Sequence, residues 1–252
     1  MQTDCKEKIR ITNVKYMEGV KMKRFAAIIL VIATLATTLL CLSSCGEEDI
    51  TKELKFELLE NDTYSVVGYT GEETDIAIPG EYNGKAVTLI GGEAFRESKL
   101  TKVTIPSSVK SIEYNAFYRS ESLVEVVLNE GLETINMSAF YGCVKLKSIN
   151  IPESVKKICR DAFQACSSLE SITIPAGVNE TFPKTFMGAL SLKTVIIESS
   201  KYAAAADEED SGYIFKYAST VYIKDGIDAG SYITGNFTKQ TTDKDGYAKY
   251  TR

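Results

Sequence analysis

The stretch AFYGCVKLKSINIPESVKKI, residues 139–158, carries the reading that decides the fold. Its Phe140 recurs as Phe95, Phe117, Phe163 and Phe186, at spacings of 22, 23, 23 and 23 residues along the chain. An alanine precedes the ring at Ala94, Ala116, Ala139 and Ala162, and Thr185 takes that place in the last copy. Leucines follow at Leu100, Leu123, Leu146, Leu169 and Leu192. Behind them run Val103, Val126, Ile149, Ile172 and Val195, and two residues later Ile105, Leu128, Ile151, Ile174 and Ile197. Val109, Leu132, Val155 and Val178 keep the same period. Several columns in register over about five copies mark an internal repeat, and a period in the twenties means a stacked-coil architecture.

Elementary geometry turns the columns into coils. In Leu100-x-x-Val103-x-Ile105 the last apolar residues alternate, so Val103 and Ile105 face one side of a strand and Thr104 the other. A strand of three or four residues cannot bury its face alone. Stacked on copies of itself it forms a parallel sheet with neighbours about 4.8 Å apart. Pro106, Pro152 and Pro175 follow three of the strands and remove the donor that would extend them. Val109 and Ile112 then carry the chain across the back of the core. Ala116-Phe117 is expected in a short helical or 3₁₀ turn, with the ring at the centre of the coil.

The pattern Ala-Phe-x-x-Cys-x-x-Leu-x-x-Ile-x-Ile-Pro-x-x-Val-x-x-Ile resembles the BspA-type leucine-rich repeats of bacterial surface proteins. The resemblance covers residues 76 to about 197. It departs at Leu128-Asn129, where the proline is lost, and at Thr181, where the late isoleucine is replaced. It implies a leucine-rich repeat solenoid of the α/β horseshoe type, mostly β, with short parallel strands and 3₁₀ or helical turns. The first coil is lengthened, with 27 residues from Ile78 to Ile105 and an Asn83-Gly84 hairpin tip within the insertion.

An open stack needs covers at both ends. Leu54, Phe56 and Leu58 alternate with polar residues, as do Tyr64 and Val66 after an Asn61-Asp62 turn; this predicts an N-terminal β-hairpin cap. Residues 45–75 are therefore read as tether and cap, 76–197 as solenoid, and 198–252 as a C-terminal cap or tail with a last strand at Thr220-Val221-Tyr222-Ile223.

Upstream, Lys21-Met22-Lys23-Arg24 leads into an apolar run from Phe25 to Leu42 and then Ser43-Ser44-Cys45. A basic start, a short apolar stretch and small residues before a cut make a secretory signal over residues 22–44. The ending Leu42-Ser43-Ser44-Cys45 resembles the bacterial lipobox, which implies a lipid on Cys45 and anchoring at the cell envelope. The competing reading is a transmembrane anchor, for which the run is barely long enough. Met22 is expected as the true start, with residues 1–21 translated from upstream sequence.

Composition narrows the function. The chain has 252 residues, 29 basic against 34 acidic, and a net charge of -5, a mild acidity that gives no support to nucleic-acid binding, which needs a clustered basic surface. It has no histidine, which removes Ser-His-Asp and Cys-His pairs, imidazole ligands and the commonest general base. No catalytic residue, metal site or cofactor is expected. Cys143 and Cys166 share a column with Ser98, Ser120 and Ala189, so free buried thiols are preferred, although a bridge between stacked coils is geometrically allowed. Cys159 is expected at a variable, exposed position. Asp207-Glu208-Glu209-Asp210 reads as a solvated acidic loop in preference to a calcium site, and Tyr118 with Tyr141 as cover for the convex edge.

The remaining candidate is the outward face of the strands. One column would hold Lys102, Glu125, Ser148, Ser171 and Thr194, and the next Thr104, Val127, Asn150, Thr173 and Ile196. This weakly polar face suits a protein partner. The resemblance implies a surface-exposed binding or adhesion module, with a host matrix or cell-surface protein as its partner. The alternative is a structural or envelope scaffold that spaces or holds a periplasmic or cell-wall partner.

Overall fold

The computed structural model describes residues 50–181, 184–200, 216–240 and 246–252, which belong to one compact unit, Asp49–Arg252. The signal segment and Cys45 lie outside the described residues, as does the acidic run 207–210.

The chain enters by a 3₁₀ turn, Ile50–Lys52, and the expected hairpin of β1 (Leu54–Leu58) and β2 (Tyr64–Tyr69). Their pairing is antiparallel, with Asp62 in the left-handed region at the turn (φ 64°). Strand β3 (Asp75–Ala77) opens the first coil. Within that coil β4 (Glu81–Tyr82) and β5 (Lys85–Ile90) form a second hairpin, tipped by Asn83 (φ 48°) and Gly84 (φ 74°). Two successive positive φ values make the type I′ turn that an Asn-Gly pair favours.

From there the 23-residue period takes over. The front of the coils carries β6 (Lys102–Ile105), β8 (Glu125–Leu128), β11 (Ser171–Ile174) and β13 (Thr194–Ile197). Val103 pairs with Val126, Ile105 with Leu128, and Ile174 with Ile197, all parallel and in the register that the columns require. The back carries a second parallel sheet, built from the two-residue strands β7 (Ser111–Ile112), β9 (Thr134–Ile135), β10 (Lys157–Ile158) and β12 (Glu180–Thr181). It continues the sheet that starts at the hairpin, in the order β1-β2-β5-β7-β9-β10-β12. The columns predicted one sheet; two residues per coil leave no alternation from which a second could be read.

The front sheet is not continuous. It divides into β3-β6-β8 and a second sheet that begins at β11, and the intervening segment, Ser148 to Ile151, adopts no strand. Ile149 and Ile151 still point into the core, at 6% and 4% exposure. The outward residues there are Ser148 and Asn150, and asparagine disfavours strand backbone, whereas threonine, valine and isoleucine fill its column in the coils that do pair.

Each Ala-Phe segment is a run of i→i+3 turns, such as Ala94 N–H to Gly91 O and Ser98 N–H to Phe95 O. Left-handed residues stop it becoming a helix. They fall two before and two after each ring, at Glu93 and Glu97, Asn115 and Arg119, Ser138 and Gly142, Asp161 and Ala165, Lys184 and Gly188. In that geometry alternate N–H groups point along the stack. Phe95 donates to Ala116 O, Phe117 to Ala139 O, Phe140 to Ala162 O and Phe163 to Thr185 O. The rings lie in one column, with centroids 5.0, 5.1, 5.4 and 5.4 Å apart and planes within 7° of parallel. Tyr69, 6.3 Å from Phe95, covers the first of them.

Beyond β13, strand β14 (Thr220–Lys224) adds in parallel. A short helix, α1 (Gly230–Asn236), leads to β15 (Thr238–Lys239) and β16 (Tyr247–Thr251), and β16 pairs antiparallel with β14. The reversal ends the parallel stack.

Phe140 touches a ring on either side and is fully buried, so its removal opens a cavity that the fixed spacing of the coils cannot close. Phe140→Ala is expected to cost about 3–5 kcal/mol in denaturant unfolding; a loss below about 1 kcal/mol would show that the ring column is not the core.

Candidate binding face

Parallel pairing at a 23-residue register puts the outward residues of each strand in rows. Lys102, Glu125, Ser171 and Thr194 form one row as read from the columns, and Thr104, Val127, Thr173 and Ile196 the other. Ser148 and Asn150 are exposed between the two sheet halves but are not in a strand. The first row begins one strand earlier than the repeat suggested, because Asp75 of β3 pairs with Lys102. Lys102 Nζ lies 3.5 Å from Glu125 Oε1, and both side chains are open to water, so the pair orders the face more than it stabilises the fold.

The second row also runs further than expected. Ala77 precedes Thr104, while Tyr222 follows Ile196 and pairs in turn with Lys249. Lys249 Nζ sits 5.8 Å from the Tyr222 ring centroid. Val127, Ile196 and Tyr222 are all half-exposed in this row, with Asn150 and Thr173 between the first two, so a mixed row lies beside a polar one. Asp75, Ala77, Tyr222 and Lys249 escaped the columns because their strands join at offsets of 27 and 26 residues, or run antiparallel.

The small-residue column after each ring has a definite chemistry. Ser120 Oγ donates to Phe95 O at 2.6 Å, Cys143 Sγ to Phe117 O at 3.3 Å, and Cys166 Sγ to Phe140 O at 3.2 Å. Each fixes the ring-bearing residue of the coil before it. Cys143 and Cys166 are free. Burial pushes the Cys143 thiol well above its ordinary range, with Cys166 nearby adding to the effect, and burial alone pushes Cys166 up to about 12.

Cys159 corrects the expectation of an exposed position, since it is only 9% exposed. It directly follows β10, donates its N–H to Ile135 O, and sets its Sγ 3.6 Å from Asn136 Oδ1. Asn136 in turn donates to Ser111 Oγ and Glu113 Oε2, which makes a polar ladder along the back sheet. Tyr118 and Tyr141 stack at 4.9 Å, and Arg96 lies over Tyr118 at 5.3 Å, so the outer row of the turns is also a ladder. At the open first coil a cleft of about 550 Å³ lies between Tyr69–Glu73 and Ala94–Leu100. Among the described residues no three His, Cys, Asp or Glu side chains converge as metal ligands.

Two tyrosines brace the ends. Tyr69 Oη lies 3.3 Å from Glu53 Oε2 and 3.1 Å from the Glu73 carbonyl; burial, then the Glu53 charge, pushes its phenol up to about 12. Tyr247 donates to Glu198, and that bond, then burial, pushes it up to about 12 as well. A phenol held above its ordinary value of 10.0 contributes stability fully below pH 10 and loses it as pH rises toward 12.

Alkaline titration by tyrosinate absorbance should therefore show two late phenols, with the thermal midpoint falling over the same range and one late phenol lost in Tyr69→Phe. Ionisation of every tyrosine together near pH 10 would contradict the bracing. Serine fills the cysteine column elsewhere with the same bond, so Cys143→Ser and Cys166→Ser should each change stability by less than about 1 kcal/mol. The native thiols should resist alkylation until the protein is unfolded; rapid labelling of the folded protein would contradict their burial.

A model of the BspA type leucine-rich repeat region matches residues 88–206 in six copies. A leucine-rich repeat protein of T. pallidum is 29% identical, with 60% of this chain and 71% of that one covered and a TM-score of 0.58. A leucine-rich cell surface protein of Faecalibacterium prausnitzii is 33% identical over 59% of this chain and 42% of that one, at a TM-score of 0.54. A leucine-rich repeat protein of Bacteroides ovatus is 25% identical over 57% and 48%, at 0.50. The chain thus spans less than half of the latter two. Among curated proteins no sequence match is found. With its repeat period, its ring column and these likenesses in agreement, residues 88–206 carry the BspA-type leucine-rich repeat, and the chain is similar to leucine-rich repeat proteins of bacteria, one of them named a cell surface protein.

Proposed function

We propose that this protein is exported, lipid-anchored through Cys45 at the bacterial cell envelope, and works without catalysis as a protein-binding module. Its ligand-facing surface is the front sheet, and adhesion to a host matrix or cell-surface protein is its role. The observation that carries the reading is the front face itself, where the row Thr104, Val127, Thr173, Ile196 and Tyr222, ending in two adjacent half-exposed apolar residues, lies beside the polar row Lys102, Glu125, Ser171 and Thr194. An extended, weakly polar surface with apolar residues set among polar ones suits a protein partner better than a small molecule. The F. prausnitzii relative is named a cell surface protein, which supports the location.

Soluble residues 46–252 should bind matrix proteins or intact cells saturably. Glu at both Val127 and Ile196 should weaken that binding by more than about tenfold without unfolding the chain. A folded fragment with no saturable binding would point instead to an envelope scaffold. In the full chain, Cys45→Ala should move the protein out of the detergent phase; unchanged partitioning would overturn the lipid anchor.

A further inference from the structure

The loops at Ser107–Ser108 and Glu153–Ser154 share one turn, closed by Val109 N–H to Pro106 O and by Val155 N–H to Pro152 O, and the second already holds a carboxylate. Glu130, in the loop after β8, reaches to the next coil and accepts from the N–H groups of Glu153 and Ser154, at 3.1 Å each. The Ser154 hydroxyl is also fully used. It donates to the Leu132 carbonyl at 2.7 Å and accepts from Gly131 N–H at 2.9 Å. This coil therefore has a two-donor carboxylate cradle, filled from within the chain.

Two coils earlier, Ser107 and Ser108 stand where Glu153 and Ser154 stand. The register of β3 against β6 puts Gly80 opposite Ser107, the place that Glu130 holds opposite Glu153. Glycine has no carboxylate to offer. Neither the Ser107 N–H nor the Ser108 N–H has an acceptor among the described residues. The Ser108 hydroxyl is shut off from solvent and has no partner either. The hairpin of β4 and β5 leaves the coil directly after Gly80, where the later coil runs on through Gly131 to Leu132 and supplies both partners of the Ser154 hydroxyl.

Three polar groups with partners at one coil thus have none among the described residues at its equivalent, and one of them, the Ser108 hydroxyl, is also shut off from water. Positive charge lies beside them. Lys110 Nζ donates to the Gly131 carbonyl, and a Cβ on Gly131 would stand 3.5 Å from that Nζ and 2.2 Å from the Ser107 carbonyl. A Cβ on Gly80 would meet Ser108 Oγ at 3.6 Å and Pro106 at 3.8 Å, ordinary contact, so a side chain fits at Gly80 against the loop.

We propose that the Ser107–Ser108 loop, facing Gly80, is a binding site for a carboxylate supplied by another molecule. The two N–H groups receive its oxygens as Glu153 and Ser154 receive Glu130. The carboxylate is that of an acidic side chain or a peptide C-terminus, the two sources sharing one chemistry.

The test uses the full chain in detergent micelles, followed through its amide resonances. Two probes separate the sources: a capped tripeptide amide with a single Glu, and a neutral tripeptide with a free C-terminus. Either should shift the Ser107 and Ser108 amides saturably, and the stronger identifies the source. Gly80→Glu supplies the missing carboxylate from within and should weaken probe binding by more than about tenfold, with Gly80→Ala close to the parent. Gly80→Glu should also raise the thermal midpoint above that of Gly80→Gln. No shift with either probe, or equal midpoints for the Glu and Gln variants, would overturn the site.

Discussion

The contact on which the rest depends is the stack of phenyl rings from Phe95 to Phe186. Ring separations of 5.0 to 5.4 Å are close to the spacing of paired strands, so one translation serves both the core and the sheets. A coil that placed its ring elsewhere would lose the pairing on two faces at once. The turn segment is shaped to keep that translation. Its alternate N–H groups run along the stack because left-handed residues bracket each ring, and a serine or cysteine ties the carbonyl of the ring-bearing residue from the next coil. Core, turn and sheet are therefore one cooperative object, as nearest-neighbour stacking requires.

Much of this was legible in the residues. Burial of Leu123, Val126, Leu128 and Leu132 follows directly from their columns, and the Asn83-Gly84 tip from its turn chemistry. What stayed hidden has a physical reason in each case. The back sheet has two residues per coil, too few to alternate. The ten left-handed positions that bracket the rings hold Glu, Asn, Arg, Ser, Asp, Ala and Lys at eight places and glycine at two, so no residue type announces them. The column of Ser120, Cys143 and Cys166 read as mere smallness, whereas each side chain is a donor with an assigned acceptor.

The binding face shows the same division. Its rows were predictable wherever the 23-residue period holds, and they failed where it does not. Asp75 and Tyr222 join the face at offsets that only three-dimensional pairing reveals, and Lys249 arrives on an antiparallel strand. Cys159 was misjudged because its column mixes Glu113, Asn136 and a thiol, a variety that suggests exposure but here reflects one polar ladder.

The break at Ser148 and Asn150 has a mechanical meaning. The back sheet and the ring column pass this coil without interruption, while the front sheet stops and starts again. The two halves of the front face, β3-β6-β8 and the half led by β11, thus exchange no strand pairing across this coil, and the ring column and the back sheet carry the connection. A partner laid across both halves would meet two short sheets on one continuous spine.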